Sequence, residues 1–450
     1  MALLSTLDFI IIIAYFCIVV FFGYLASRRE TKEGYLLADR KLGVWSSVAT
    51  LNASKTGSIL IVFTAFVYIF GFSAMWYFIG ASFGYLVFIA FASKLRKESK
   101  NKYYTLADYF YYNYGRIPAV FATILNVIVM LGFLVINLIA GAKIFSIFTG
   151  WNFWLSALII SAVVLVYLLM GGFKAVVYTD IIQYISIVTV IVLLAVVMTR
   201  GLPILSLDWN FFSAGPATIF GFLIIGLLVP FASPDLWQRV YSAKDRKTAM
   251  KGIFFSVLIY MCVCFALAVI ALTVKALLPA LDPDTALIYG FGNLLIPGLA
   301  GLAIVLLFAA IMSSIDTYAF TASSAIIQDF FRNLSKKKIV KYIKITLTLL
   351  LIVSTVLVIL LQNMVFSTYI FTGFIIVLAI PTIVTWIKKK IDLLALIIMF
   401  ITGFAGIIFF LTTAPVIEPA LAPQMIIVSL TGVILAVIIS MIVRKIKSRA

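Results

Sequence analysis

The chain has 450 residues, of which 64% are hydrophobic and 11% are charged. A water-soluble globule of this length needs far more charged surface, so the composition predicts an integral membrane protein. Histidine is absent and the three cysteines lie in apolar runs, which argues against zinc, haem and histidine acid–base sites. In a membrane protein we interpret the formal net charge of +18 as a topology signal, and we expect no nucleic-acid partner.

Apolar runs bounded by charged residues divide the chain into about thirteen segments that can cross a bilayer as helices. The first run lacks a preceding basic region and a clear cleavage site, so we expect a retained span and not a signal peptide. Residues 278–297 predict an external loop with a short helix. The thirteen segments are 7–26, 43–70, 72–93, 118–149, 151–170, 176–199, 216–231, 252–277, 297–325, 339–361, 364–386, 393–412 and 424–443.

Lysine and arginine fall in every second connection between these segments. The basic residues of one side occupy 28–41, 94–116, 174, 239–251, 332–344, 388–390 and 444–449, and only Lys55, Lys143, Arg200 and Lys275 lie elsewhere. Cytoplasmic connections of membrane proteins carry this excess. The pattern predicts an external N-terminus, a cytoplasmic C-terminus and a multi-pass protein of the cell membrane.

Two of the predicted spans are interrupted. The second carries small and polar residues from Asn52 to Ser58, and the seventh ends at Pro230, Ser233 and Pro234. If segments two to six and seven to eleven form two units, each unit begins with a broken helix, which is typical of inverted-repeat secondary transporters. The alternative is that glycine and proline are simply commoner in membrane helices.

These units define the expected organisation of the chain, which is a single transporter domain over 1–450. It comprises an extra N-terminal helix at 7–27, a first inverted repeat at 43–199, a second at 216–386 and two C-terminal helices at 391–443. We expect this domain to function as a monomer.

Three ionisable residues are predicted to lie within the membrane: Lys55 in the second segment, Asp180 in the first turns of the sixth and Asp316 well inside the ninth, whereas Asp8, Asp329 and Asp392 lie near span ends. A charge at the bilayer centre costs ~2.5–3.5 kcal/mol on insertion scales, so each needs a partner or a function. No arginine lies within a predicted span. A substrate carboxylate would therefore have to be held by Lys55 or by a helix N-terminus.

Hydroxyls accompany the carboxylate of Asp316. Helical spacing places Ser313, Asp316 and Thr317 on one face, with Ser314 beside it. Such oxygens suit hard cations, and carbonyls of a broken helix would complete a site for Na+ or H+. The alternative is that these serines only pack helices closely and bond their own carbonyls.

Five motifs in this order make the chain resemble the sodium:solute symporter family over nearly its whole length. They are YLLADRKL at 35–42, TLADYFYYNYG at 105–115, GGFKAVVYTDIIQ at 171–183, QRVYSA at 238–243 and AAIMSSIDT at 309–317. The resemblance implies an all-α protein of thirteen spans with two inverted five-helix repeats, the leucine-transporter-type fold. It also implies alternating access driven by a cation gradient.

The resemblance also implies site residues. A principal sodium site would be formed by Asn52, Lys55, Ala310, Ser313 and Ser314. A second sodium site, which is found in some members of the family, would be formed by Asp180, Ser313, Asp316 and Thr317. Substrate would lie near Asn52, Ala53, Asn137 and Ser233.

Lys55 departs from the family pattern, which usually has an apolar or small residue there. In one interpretation its ammonium replaces the principal sodium and pairs with Asp316 or Asp180, so that transport is proton-coupled or uncoupled. In the other, only its carbonyl faces the ion and sodium still binds. The sequence leaves both open.

The leading functional hypothesis is cation-coupled import of a small organic solute, either an amino acid such as proline or a monocarboxylate. Its partners would be the solute, Na+ or H+ and the lipid bilayer, with no other cofactor. A channel would show flux without gradient coupling. A signalling module is disfavoured because the tail from Arg444 leaves no room for an output domain, and an enzyme because no catalytic constellation appears.

Overall fold

The computed structural model describes residues 6–27, 31–99, 102–169, 171–200, 204–296, 298–387 and 391–413, together with isolated positions between 424 and 438. Within these ranges the regular secondary structure is helical, with connecting loops and one isolated bridge between Leu42 and Ala243. The helices are α1 (Thr6–Ser27), α2 (Lys32–Leu37), α3 (Val44–Phe70), α4 (Met75–Ser99), α5 (Leu106–Tyr114), α6 (Arg116–Thr149), α7 (Phe153–Leu168), α8 (Phe173–Met198), α9 (Pro216–Leu228), α10 (Pro234–Ser242), α11 (Arg246–Leu277), α12 (Ala286–Leu294), α13 (Leu299–Phe330), α14 (Lys336–Leu361), α15 (Met364–Ile387) and α16 (Leu393–Thr413).

The all-helical prediction and most predicted spans are confirmed. By length and composition, the described ranges contain eight membrane-spanning helices, or nine when one bent pair counts as a span. Helices α1 and α7 lie at the predicted first and fifth spans, and α12 is the short helix expected in 278–297. The predicted last span, 424–443, lies outside the continuously described ranges. The total of thirteen and the orientation of the termini stay predictions.

The predicted break in the second span is wrong, because α3 is an unbroken α-helix from Val44 to Phe70. Two hydroxyl groups in its polar stretch bond back to the helix itself. Ser54 Oγ donates to the Leu51 carbonyl at 3.2 Å, and Thr56 Oγ1 donates to the Asn52 carbonyl at 2.6 Å. Small polar residues thus hydrogen-bond to carbonyl groups of their own helix. They also let neighbouring helices approach closely without interrupting the helix.

The predicted break in the seventh span is confirmed. Helix α9 tightens into a 3-10 turn over Val229–Ala232, and the chain then bends by 46° into α10. Pro230 and Pro234 lack the N–H groups that would continue the helix. Ser233 Oγ donates to the Val229 carbonyl at 2.7 Å and so satisfies one backbone acceptor freed at the bend.

Helices α4 and α9 touch through glycines. A Cβ on Gly84 would overlap the Leu227 carbonyl oxygen, and one on Gly80 would overlap that of Leu223. In turn, a Cβ on Gly226 of α9 would overlap the Tyr77 carbonyl oxygen. Bare glycines therefore allow the two backbones to pack in direct contact, which is the usual device for close helix pairs in membranes.

We expect Gly84→Ala to destabilise the protein by about 1–3 kcal/mol, because the added methyl group forces α4 and α9 apart. The measurement is the unfolding midpoint of the purified protein in detergent. Gly43→Ala is the matched control, since no heavy atom lies within 4 Å of a Cβ at Gly43. Equal midpoints for the two variants would show that this contact does not limit packing.

Candidate cation and solute site

Two serines of α13, both predicted as cation ligands, contact helix α3. Ser313 Oγ lies 3.0 Å from the Ala53 carbonyl oxygen and 2.9 Å from that of Ala310. Ser314 Oγ lies 3.1 Å from the Ala310 oxygen and also accepts from the Gly57 N–H at 3.1 Å. Each hydroxyl has one proton. Ser313 can therefore satisfy only one of its two carbonyl neighbours at a time.

Asn137 of α6 adds another oxygen at the same place. Its amide nitrogen donates to the Phe133 carbonyl at 2.7 Å, while Oδ1 is buried with no hydrogen-bond partner among the described residues. A Cβ on Gly57 would overlap Asn137 Oδ1, Ser314 Oγ and the Ala310 carbonyl oxygen. These oxygens therefore converge on the bare face of Gly57.

We call this set the oxygen cluster: the carbonyl oxygens of Ala53 and Ala310, Ser313 Oγ, Ser314 Oγ and Asn137 Oδ1. Uncharged carbonyl and hydroxyl oxygens are ligands for hard cations and for coupling ions in transporters. The described residues contain no group of histidine, cysteine, aspartate and glutamate side chains that could hold a metal ion. The chemistry of the cluster therefore suits an alkali cation better than a transition metal.

The structure places Asn52, predicted for both cation and substrate, outside this cluster. Its amide donates to Tyr184 Oη at 2.9 Å and to the Ser256 carbonyl at 3.3 Å, and its Oδ1 accepts from Ser256 Oγ. Asn52 thus joins α3 to α8 and α11. The α3 carbonyl that contacts Ser313 belongs to Ala53, the next residue, which the sequence had assigned only to substrate.

Lys55 points away from the oxygen cluster. Ala53 and Gly57 are four residues apart and share the face of α3 that meets α13, whereas Lys55, midway between them, projects from the opposite side. Its Nζ lies 3.6 Å from the centre of the Tyr85 ring on α4. Lys55 enters none of the ion pairs found among the described residues, so neither predicted pairing, with Asp180 or with Asp316, is formed.

Asp180 is instead paired with Arg239 of α10, and both side chains are fully buried. Arg239 Nη2 lies 3.1 Å from Asp180 Oδ2 and donates to Thr317 Oγ1 at 2.9 Å. Thr50 Oγ1 also donates to Asp180 Oδ2 and accepts from Arg239 Nε at 3.0 Å. The guanidinium thus lies between two residues of the predicted second cation site.

The expectation that no arginine is buried in a span is therefore wrong. Arg239 was assigned to a cytoplasmic connection because it follows the break at Pro230–Pro234. The bend instead returns α10 into the protein, where all nine of its residues are buried. The QRVYSA motif was the available signal, since it contains Arg239. Asp316 is also buried, and its Oδ1 accepts from the Thr317 N–H at 2.7 Å.

A polar cavity lies between the bend and the face of α3 that carries Lys55. Ser233, predicted for substrate, lines it, whereas Asn52 and Ala53 do not. The cavity together with its open mouth spans about 490 Å³ of space free of protein atoms, open solvent included. Its lining residues are Lys55, Ile59, Tyr77, Ala81, Tyr85, Phe133, Val229, Ser233, Asp235, Tyr260 and Tyr318.

A second, apolar chamber adjoins the polar cavity. The two share Ile59, Tyr77 and Phe133 as lining residues. The rest of the chamber is lined mainly by aliphatic and aromatic side chains from α3, α6, α9 and α15. Together the two spaces offer a charged end and an apolar end to one small molecule.

Comparison with known proteins agrees with this architecture. The sequence profile of the sodium:solute symporter family matches residues 35–207 and 204–379. Sodium/proline symporter 2 of Staphylococcus saprophyticus is 28% identical over 363 residues, which cover 72% of this chain and 68% of the relative. A sodium/proline symporter of Staphylococcus aureus strain Newman is 27% identical over 354 residues, with the same two coverages, 72% and 68%.

Two solved structures share the fold. A Na+-coupled sialic acid symporter in a substrate-bound, outward-open state matches with a TM-score of 0.75 and 18% identity, over 96% of this chain and 98% of the other. A nucleobase-cation-symport-1 family transporter in a closed conformation matches with a TM-score of 0.59 and 14% identity, over 89% and 92%. At these identities the matches establish the fold and leave the solute open.

Proposed function

Because the chain belongs to the sodium:solute symporter family, we propose that it imports a small organic solute by sodium-coupled symport with alternating access. The family consists of transporters and not enzymes, and the chain is a multi-pass membrane protein. Its curated relatives are sodium/proline symporters, which favours an amino acid over other solutes. The two inverted repeats, 43–199 and 216–386, remain part of this proposal, as does the monomer.

The observation that carries the proposal is the oxygen cluster. Three of its uncharged oxygens meet at Gly57, and Ser313 Oγ joins the Ala310 carbonyl oxygen to that of Ala53 on α3. One of the five, Asn137 Oδ1, is buried without a hydrogen-bond partner among the described residues. Burying an unsatisfied acceptor is costly, and a bound cation removes that cost. An ion here would touch helices from both proposed repeats and so couple its binding to their relative movement.

We propose a single coupling ion per transport cycle. At the second predicted position, the Arg239 guanidinium already supplies a positive charge between Asp180 and Thr317. A sodium ion there would have to compete with a fixed cation for the same carboxylate. Asp180 and Thr317 are therefore assigned to holding α10 against α8 and α13.

The second candidate is a proton-coupled or uncoupled carrier in which Lys55 replaces the sodium ion. The position of Lys55 favours it, because this partly buried ammonium lies in a membrane-spanning helix and enters none of the ion pairs found among the described residues. The direction of the side chain, toward Tyr85 and away from the oxygen cluster, supports the sodium mechanism.

Uptake into proteoliposomes separates the two. We expect radiolabelled amino acids to accumulate under an inward sodium gradient and to equilibrate without accumulation under a proton gradient alone. Vesicles with equal sodium on both sides are the control. Accumulation driven by protons in sodium-free buffer would assign coupling to Lys55 and overturn the sodium mechanism.

A further inference from the structure

The polar cavity contains three buried polar atoms with no hydrogen-bond partner among the described residues. They are Tyr85 Oη, Tyr260 Oη and Asp235 Oδ2. Buried polar groups in native proteins are nearly always satisfied, so each exception needs an explanation. Three of them beside one space, together with the Lys55 ammonium, are best explained by a ligand that supplies the missing partners.

The two charged groups of the cavity come from different helices. Lys55 belongs to α3 and Asp235 to the first turn of α10, immediately after the bend. Asp235 Oδ2 lies 3.7 Å from Arg239 Nη1, too far for a hydrogen bond. A ligand carboxylate can pair with Lys55, and a ligand ammonium can pair with Asp235. A simple carboxylate or a simple amine would satisfy only one of them.

The apolar chamber beside the polar cavity indicates which kind of side chain the ligand carries. Phe66 stacks on Tyr369 with ring centres 5.6 Å apart and packs against Phe222 at 5.5 Å. These aromatic rings line the chamber beyond the shared residues Ile59 and Tyr77. A bulky apolar group gains most from such surroundings, at ~25 cal/mol per Å² of buried area. Proline offers less apolar surface than phenylalanine or leucine.

We propose that the transported solute is a zwitterionic α-amino acid with a large apolar side chain. Its carboxylate pairs with Lys55, its ammonium pairs with Asp235, and its side chain enters the apolar chamber. Tyr85 and Tyr260 donate hydrogen bonds to the carboxylate. This assignment rests on the proposed transport function and adds to it the class of solute and the residues that select it.

The first test uses the wild-type protein in counterflow, in which preloaded unlabelled solute drives the entry of labelled phenylalanine without an ion gradient. We expect phenylalanine and leucine to exchange and proline to compete more weakly. Phenethylamine lacks the carboxylate and 3-phenylpropionate lacks the ammonium. Phenethylamine leaves Lys55 without an ion-pair partner, and 3-phenylpropionate leaves Asp235 with only its 3.7 Å contact to Arg239. Each should therefore compete at least ~30-fold less well than phenylalanine.

The second test assigns the two charges. We expect Lys55→Gln to weaken the binding of phenylalanine more than that of phenethylamine, so that the inhibition constant of phenethylamine divided by that of phenylalanine falls at least ~10-fold. Asp235→Asn should instead reduce the inhibition constant of 3-phenylpropionate divided by that of phenylalanine. A general loss of structure would weaken all competitors together. Lys275→Gln on α11 is the matched control, since Lys275 is outside the lining of both cavities.

The outcomes separate this assignment from the transport function. If 3-phenylpropionate or lactate exchanges at the same rate as phenylalanine, the zwitterion assignment is wrong. Symport of another solute then remains the proposed function. Unchanged ratios in both variants would remove Lys55 and Asp235 from solute recognition. If phenylalanine exchanges in counterflow but does not accumulate under a sodium gradient, the solute assignment holds and the sodium mechanism fails.

Discussion

Replacing Gly57 by alanine is expected to abolish sodium-driven accumulation of solute. A methyl group at this position overlaps Ser314 Oγ, Asn137 Oδ1 and the Ala310 carbonyl oxygen, which are the oxygens assigned to the ion. Disturbing the neighbours of a metal ligand already costs ~10- to 100-fold in affinity, and displacing ligands themselves costs at least as much. The measurement is initial uptake as a function of sodium concentration in proteoliposomes.

Gly43→Ala is the control for this variant, because it makes the same chemical change at the start of the same helix, where a Cβ meets no heavy atom within 4 Å. It should retain the sodium dependence of the wild type. Solute counterflow with saturating solute should survive in Gly57→Ala better than accumulation does, since neither Gly57 nor any residue of the oxygen cluster lines the polar cavity. An unchanged sodium dependence in Gly57→Ala would exclude the oxygen cluster as the ion site.

Replacing Arg239 by methionine is expected to destabilise the protein by about 3–5 kcal/mol, because it leaves the buried Asp180 carboxylate without its counter-charge. Both side chains are fully buried, and the guanidinium also bonds Thr50 and Thr317. The double variant Asp180→Asn with Arg239→Met removes both charges of this pair and should recover part of the loss, since Asp235, 3.7 Å from Arg239 Nη1, still loses its counter-charge. Unfolding midpoints in detergent provide the comparison.

The control for this pair is the ion pair between Lys94 and Glu98 on α4, whose side chains are 35% and 37% exposed. Lys94→Ala should change stability by less than ~1 kcal/mol, since exposed pairs contribute little. A double variant as unstable as Arg239→Met alone would show that packing by the guanidinium, and not charge pairing, fixes α10.

Sequence alone predicted the oxygens on α13 because helical spacing fixes which side chains share a face. Ser313 and Ser314 contact α3 as expected. Resemblance to the family assigned Asn137 to substrate only, and its place in the oxygen cluster could not be predicted because its amide is isolated in an apolar span. The break in α3 was predicted wrongly, since small polar residues also occur where unbroken helices approach closely.

The positions of Arg239, Tyr85 and Tyr260 in the folded protein could not be predicted from the sequence. Arg239 appears cytoplasmic along the chain, and only the 46° bend returns it to the interior. Tyr85 and Tyr260 lie in ordinary apolar spans, and nothing local distinguishes them from packing residues. They matter because they line the cavity and because their hydroxyls have no hydrogen-bond partner among the described residues. Both facts depend on the tertiary structure.

Equilibrium binding of radiolabelled sodium to the purified protein tests the central claim most directly. We expect the wild type and Gly43→Ala to bind the ion saturably at a single site per chain, and Gly57→Ala to bind it much more weakly. Addition of the transported solute should increase sodium affinity, because coupling between two sites is reciprocal. Absence of saturable binding in the wild type, or equal binding by Gly57→Ala, would contradict a sodium site at the oxygen cluster.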